Sequence, residues 1–430
     1  MRSIILSFLA TLFFFSSLAA QGLYLPPGVT NSAVFYGGLG ISSIDDRSYF
    51  TFNLRPEFAF GKVGLGLDIP LRFDIETESL REEDWDETYD YLRVIRYLSY
   101  GRKRDPLHFR IGELQAARLG HGLIMNYYNN NIALYDRRKA GLVLDMDAGL
   151  AGFEFITSNL GRSEIFGGRA YYRPLNDTVY PLLKNFAIGA SYVTDRDPDQ
   201  DALTNDRVSE FGLDVELPIV KNSLVEVLTY ADYAKILNHG SGKAVGVETT
   251  IWGIGGIFNF RAQLERRFLN KNFIPSYFDA FYEIDRHRIV DNVAVPKVSL
   301  LDSSTATRGV FGLLYGSVLN TIEVVGTFQK LDGVSNSGIM HLQATVPETV
   351  PNISARATYD RTGIAGFGDA FKLDERSVAR LGIGYKIGQF LALYFDYIWT
   401  FKFDETEGRF KVQKRIEPQI ALVYPMNFGR

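Results

Sequence analysis

Cysteine is absent from the 430 residues and histidine occurs only five times. Without thiols the chain cannot build a disulfide scaffold, a Cys-ligated zinc site, an iron–sulfur cluster, a thiol nucleophile or a lipid-modified cysteine anchor. An excess of one charge is lacking too: 46 Lys and Arg against 50 Asp and Glu leave a formal net charge of -4, so nothing points to nucleic acid as a partner. After Gly22 no stretch reaches about 18 uninterrupted apolar residues, so a transmembrane helix is not expected in the remainder. Aromatic residues and glycine, by contrast, are abundant, with 32 Phe, 24 Tyr and 40 Gly. A chain that is 46% hydrophobic has enough apolar surface to order itself. Length alone suggests two or three soluble domains, and the patterning argues otherwise.

The start reads as an export signal. Met1-Arg2-Ser3 supplies a short positive end, Ile4 to Leu18 is almost wholly apolar, and Ser17-Leu18-Ala19-Ala20 offers small residues before Gln21. The apolar run is shorter than the roughly 20 residues a spanning helix needs. Residues 1–20 are therefore expected to be a cleaved signal peptide, and export without cysteine fits the envelope of a double-membraned bacterium.

Period two runs along the rest. From Lys62 to Asp74 one parity holds Val63, Leu65, Leu67, Ile69, Leu71 and Phe73, while the other holds Gly64, Gly66, Asp68, Arg72 and Asp74. The same alternation sets Phe211, Leu213 and Val215 against Glu210, Gly212 and Asp214, and Leu391, Leu393, Phe395, Tyr397, Trp399, Phe401 and Phe403 against Ala392, Asp396, Thr400 and Lys402. Strict alternation predicts strands with one apolar and one polar face. Twenty candidate strands are counted between residues 32 and 424, among them 49–60, 62–74 and 90–99. Tight turns such as Gly61-Lys62 and Asp147-Ala148-Gly149 alternate, along most of the chain, with longer polar connections near 75–90, 113–137, 194–206, 269–307 and 361–374. The apolar stretch Tyr277 to Ile284 is placed inside one of these external loops. Stacked soluble β-sandwiches also alternate, but apolar faces ending in Tyr, Trp and Phe fit a lipid interface better. The expected fold is all-β: one transmembrane antiparallel up-and-down β-barrel over residues 21–430, of 16 to 20 strands with 20 the best count.

With this pattern over nearly all of the mature chain, the sequence resembles bacterial outer-membrane β-barrel proteins of the porin-like kind. The resemblance implies residence in outer-membrane lipid, delivery by a barrel-insertion machinery, and a channel for passive passage of small polar solutes. The alternative is a non-conducting barrel acting in adhesion, envelope structure or docking of a partner protein, with residues 269–307 as its surface. Such barrels end on an aromatic residue, whereas here Pro425 interrupts the last strand and Phe428 lies two residues before the end.

If the apolar parity faces lipid, the other parity lines a lumen. It collects Asp68, Arg72, Arg110, Arg169, Glu210, Asp214, Arg261, Glu265, Arg356, Arg380, Asp396 and Lys402, and rings of such charges either select solutes or neutralise one another across a filled interior. In the segment 112–131, His121 stands between Gly120 and Gly122, and Asn126, Tyr127, Tyr128 and Asn129 follow. Amides and phenols can hold neutral polar solutes in an inward-folded constriction, although an ordinary loop packed on the wall by Leu123, Ile124 and Met125 is the favoured reading. Asp195, Asp197, Asp199, Asp201 and Asp206 have the spacing of a calcium loop, yet Gln200 replaces the turn glycine and Asp206 the bidentate Glu, so a solvated acidic loop is preferred over calcium and no other cofactor is expected. The histidines sit in no nucleophile motif, and neither a phosphate-binding loop nor an HExxH pair occurs, so catalysis is not expected.

Overall fold

The computed structural model describes residues 32–427 except 45–46, 87, 102–104, 115, 132–138, 163, 199–205, 255–256, 291–292, 320–321, 347–351, 389 and 405–408. The export signal, Asp199, Asp201 and Phe428 therefore lie outside the described residues. Twenty-two strands form one sheet in which sequence neighbours pair antiparallel. The first strand, Ser32–Ile44, also pairs with the last, Arg409–Asn427, in register from Ser32↔Asn427 to Ile44↔Arg415. The ladder thus returns to its start, and closure removes the exposed edges that an open sheet would present.

Two staves are each split in two. Arg47–Leu54 and Glu57–Phe60 both pair with Ser32–Ile44, and they break at Pro56, which has no N–H to give the ladder. Val63–Leu67 and Ile69–Asp74 pair with those halves in turn, and they break at Asp68 beside a register shift after Gly66. Counting each split stave once leaves the twenty that the alternation predicts. The stave predicted over 90–99 begins later: residues Thr88–Arg93 are helical and the strand is Ile95–Tyr100. Adjacent exposed Tyr91 and Leu92 suit no alternating strand. Pro425 does not interrupt the last strand either. Beyond Leu422 only Ser32–Ile44 pairs with it, so the missing donor falls on a stretch with one partner.

The barrel is inside out relative to a soluble protein. On Val208–Lys221, Phe211, Leu213 and Val215 are 36–47% exposed, while Glu210 and Asp214 between them are 0% and 7% exposed. Leu264, Leu314, Val324, Ile383 and Ile420 continue the exposed apolar band around the wall. An apolar exterior over a buried polar interior is the arrangement of a barrel that faces lipid. No helix among the described residues is long and apolar enough to cross a membrane.

Candidate functional site

The lumen is occupied in part by the described residues of two connections, between Gly112 and Gly141 and between Leu269 and Thr307. Both count among the long external connections expected from sequence, although an inward-folded constriction is one of the two readings offered for the first. They join through a short parallel ribbon: the Ser276 amide donates to the Leu123 carbonyl at 2.6 Å, the Asn126 amide to the Phe278 carbonyl at 3.1 Å, and Met125 bridges Phe278. Leu123, Ile124, Met125, Tyr277, Phe278 and Tyr282 are all buried, and they pack on Val193, Val208, Ala234, Ile236, Ala244 and Leu269 of the wall. Here the inward parity is apolar, and that is what draws the loops in. The stretch from Tyr277 to Ile284 is thus interior, so this part of 269–307 is not a free docking surface.

A buried ionic network holds the second loop. Arg286 grips Asp195 through two hydrogen bonds of 2.6 and 2.7 Å and reaches Glu164 at 2.7 Å. Lys139 bridges Glu164 at 2.5 Å and Glu283 at 2.7 Å, and Tyr128 donates its hydroxyl to Glu283. Burial pushes the Tyr128 phenol well above its ordinary value and the Glu283 charge adds to that. Glu164 is pushed up by burial, but Lys139 and Arg286 outweigh it and hold its carboxyl below the usual range. This network also engages the first residue of the proposed calcium loop: both Asp195 oxygens accept from Arg286, and Tyr282 donates to one at 2.9 Å. Asp197 and Asp206 follow on the loop side of the wall.

The first loop crosses the lumen. At its tip, Gly120 and Gly122 have φ of +55° and +96°, and a Cβ on Gly122 would stand 2.9 Å from the Asn126 side chain. Only glycine fits such a turn without strain. The His121 ring lies 4.0 Å from that of Tyr230, stacked within 7°, and its Nε2 is 3.2 Å from Glu216. Burial lowers the His121 pKa, yet Asp232 and Glu216 outweigh burial and the net direction is upward. Arg118 donates to Gln263 at 3.0 Å on the same wall. Tyr127, at φ +57°, stacks on His341 across the lumen at 4.6 Å, and Arg380 donates to the Asn131 carbonyl at 3.0 Å. Asn126 is buried within the ribbon, and Asn129 accepts the Asn131 amide at 2.9 Å. The loop is both things the sequence offered as alternatives: it packs by Leu123, Ile124 and Met125, and it spans the interior.

A cavity lies on each side of it. One, of about 220 Å³, is bounded by Tyr127, Asn129, Asn131 and the wall residues Arg55, Asp68, Arg356, Arg380 and Asp396. The other, of about 250 Å³, lies toward the tight turns and is bounded by Arg118, His121, Glu154, Arg169, Glu216 and Arg261. The charges named from alternation are distributed as follows. Asp68 meets Arg55 at 3.0 Å, and Asp396 is 4.0 Å from Arg55. Arg72 is fully buried between Asp84 at 2.9 Å and Glu417 at 3.2 Å. Arg110 donates to the Glu113 carbonyl at 3.0 Å and covers the Tyr97 ring. Arg169 joins Glu154 at 2.9 Å to Asp214 at 2.5 Å, and Arg261 meets Glu248 at 2.6 Å. Glu265 receives the Tyr230 hydroxyl at 2.8 Å and pairs with Arg267. Glu210 is buried with no hydrogen-bond partner on either oxygen among the described residues. Lys402 sits on Leu391–Asp404 opposite Lys411.

The sequence reading missed Lys139, Glu164, Glu283 and Arg286. Its available signal was the apolar run 277–284, which a solvated loop would not need. No family model matches the chain, and no curated protein matches it. Solved structures with a similar trace include the outer membrane protein opdK of Pseudomonas aeruginosa, at 9% identity and a TM-score of 0.32, covering 92% of this chain and 99% of that one. OccK9 (OpdG) of the same organism is 10% identical with a TM-score of 0.33, covering 91% and 98%. CdiB from Acinetobacter baumannii is 9% identical with a TM-score of 0.29, covering 91% of this chain and 60% of that one. Likeness this slight carries no weight for function, which must come from the lumen itself.

Proposed function

We propose that the chain is an outer-membrane, porin-like channel for passive passage of small polar solutes, exported by its N-terminal segment and placed in the membrane by a barrel-insertion machinery. The observation that carries this is the lumen: a charged inner wall with a cavity lined by ionisable side chains on each side of the crossing loop. Both signs line each cavity, with Arg356 and Arg380 near Asp68 and Asp396 in one, and Arg169 and Arg261 near Glu154 and Glu216 in the other. Such walls replace part of a polar solute's hydration without trapping one charge. The lumen-lining residues, with Tyr127 and Asn129 facing one cavity and His121 the other, then set the width and chemistry of the passage, while the buried Asn126 and Tyr128 hold the loop in place.

The packed cluster around Met125 and Phe278 favours a second reading, a barrel that does not conduct. Planar-bilayer recording of purified protein separates the two. Stepwise conductance is expected for the channel; silent insertion of folded barrels would leave the non-conducting reading. Recovery of the protein from the soluble periplasmic fraction would overturn both.

A further inference from the structure

We propose that His121, Asp214 and Asp232 form a divalent transition-metal site that tethers the tip of the crossing loop to the barrel wall. Asp214 and Asp232 are directly opposite each other in the pairing of Val208–Lys221 with Val225–Ile236. Both side chains are on the lumen face, 7% and 9% exposed. Like charges in opposed positions repel, and burial raises the cost of leaving either uncompensated.

Arg169 answers only one of them. Its Nε and Nη2 donate to the two Asp214 oxygens at 2.8 and 2.5 Å. Among the described residues Asp232 has no comparable cation, and its Oδ1 is buried without a hydrogen-bond partner. His121 enters from the loop, with Nε2 4.0 Å from Asp214 and 3.2 Å from Glu216. One donor atom from each of His121, Asp214 and Asp232 lies within 4.8 Å of the others. Zinc holds its donors at roughly 2.0–2.2 Å, so binding would draw the three side chains closer together and leave Arg169 on one Asp214 oxygen.

An imidazole with carboxylates suits Zn²⁺ and its first-row neighbours better than Ca²⁺, which takes only oxygen. The ion supplies the positive charge that Asp232 lacks, and Glu216, 3.2 Å from the His121 Nε2, stands beside the site. The stacked Tyr230 ring fixes the imidazole plane. The site belongs to the folded lumen whether or not the lumen conducts.

The test is zinc titration of full-length, chelator-stripped protein in detergent, followed by calorimetry, with folding checked by circular dichroism. Saturable binding of one Zn²⁺ per chain is expected. His121→Gln and the isosteric Asp232→Asn are each expected to weaken it by about 100-fold or more, because a lost ligand costs at least as much as a lost ligand support. His108→Gln should bind as the parent does, since His108 pairs with Asp145 elsewhere on the wall. No saturable binding, unchanged binding in folded Asp232→Asn, or loss in His108→Gln would each overturn the site.

Discussion

The two halves of the inner wall differ more than the outer surface does. Between Ala187 and Leu269 the inward residues near the loop ends are Val193, Ala234, Ile236, Ala244 and Leu269, and the crossing loops are packed on them. Between Ile353 and Asp404 the inward residues include Arg356, Arg380 and Asp396, and a cavity remains in front of them. Outside, both halves show the same exposed apolar parity. Lipid imposes one rule on every stave, whereas the lumen is free to use one side as an anchor and the other as a passage.

The comparison breaks most directly at the ionic anchor. Arg286→Met leaves Asp195 buried without its cation, a change of about 3–5 kcal/mol for a buried pair. Because the pair holds the second loop and not the ladder, the cost is expected as loss of hydrogen-exchange protection over 277–301 with strand content unchanged. Asp195→Asn in the same chain should restore part of that protection. Met125→Ala comes next, at about 2–5 kcal/mol for a fully buried side chain. It loosens the ribbon between the loops, and larger single-channel conductance in bilayers is the expected reading. Unchanged conductance in a variant whose loop protection has fallen would mean that the anchored side is not beside the passage.

The outer rule was legible in the sequence because it is local. Phe211, Leu213 and Val215 announce a lipid face within five residues, and twenty such patterns yield the staves. The inner arrangement depends on register between distant strands. Arg169, Asp214 and Asp232 are individually visible as inward charges, but that Arg169 bonds Asp214 and leaves Asp232 unanswered follows only from three strands in place. The loops are harder still. Period two says which side a strand residue faces and nothing about whether a connection folds out or in, so Tyr277 to Ile284 could be seen as apolar without being seen as interior. Lys139 and Arg286, in irregular chain, carry no periodic signal at all.

Substitution across the wall sharpens the contrast between its two surfaces. Leu213→Arg places a charge on the lipid face and is expected to cost about 2–4 kcal/mol if it lies near the bilayer midplane. Thr358→Lys adds a charge on the cavity side, where water and carboxylates can receive it. It should leave urea stability close to that of the parent while shifting the reversal potential toward anions in asymmetric salt. Equal destabilisation by both would mean that the cavity in front of Arg356 is dry.

Acid distinguishes the buried anchor from an ion cluster at the barrel rim. Asp374, in the loop after Ile353–Ile364, is held at about 2 against an ordinary 3.8, first by hydrogen bonds from Arg361 at 2.9 and 3.0 Å, although burial works the other way. A depressed carboxylate contributes stability that is complete above its unfolded value and lost as pH falls through the folded one. That contribution is therefore present above 3.8 and fades toward 2. Water screens this rim pair, so its worth is under about 1 kcal/mol. Glu164 is depressed in the same direction, so its contribution is complete above 4.5 and is lost below it. On acidification from pH 6, hydrogen exchange corrected for intrinsic rates should show loss of protection at 277–301 below pH 4.5. Residues 365–376 should change by a smaller amount and at lower pH, and Asp374→Asn should abolish only that second change. Loss in the reverse order would place the main anchor at the rim instead of in the lumen.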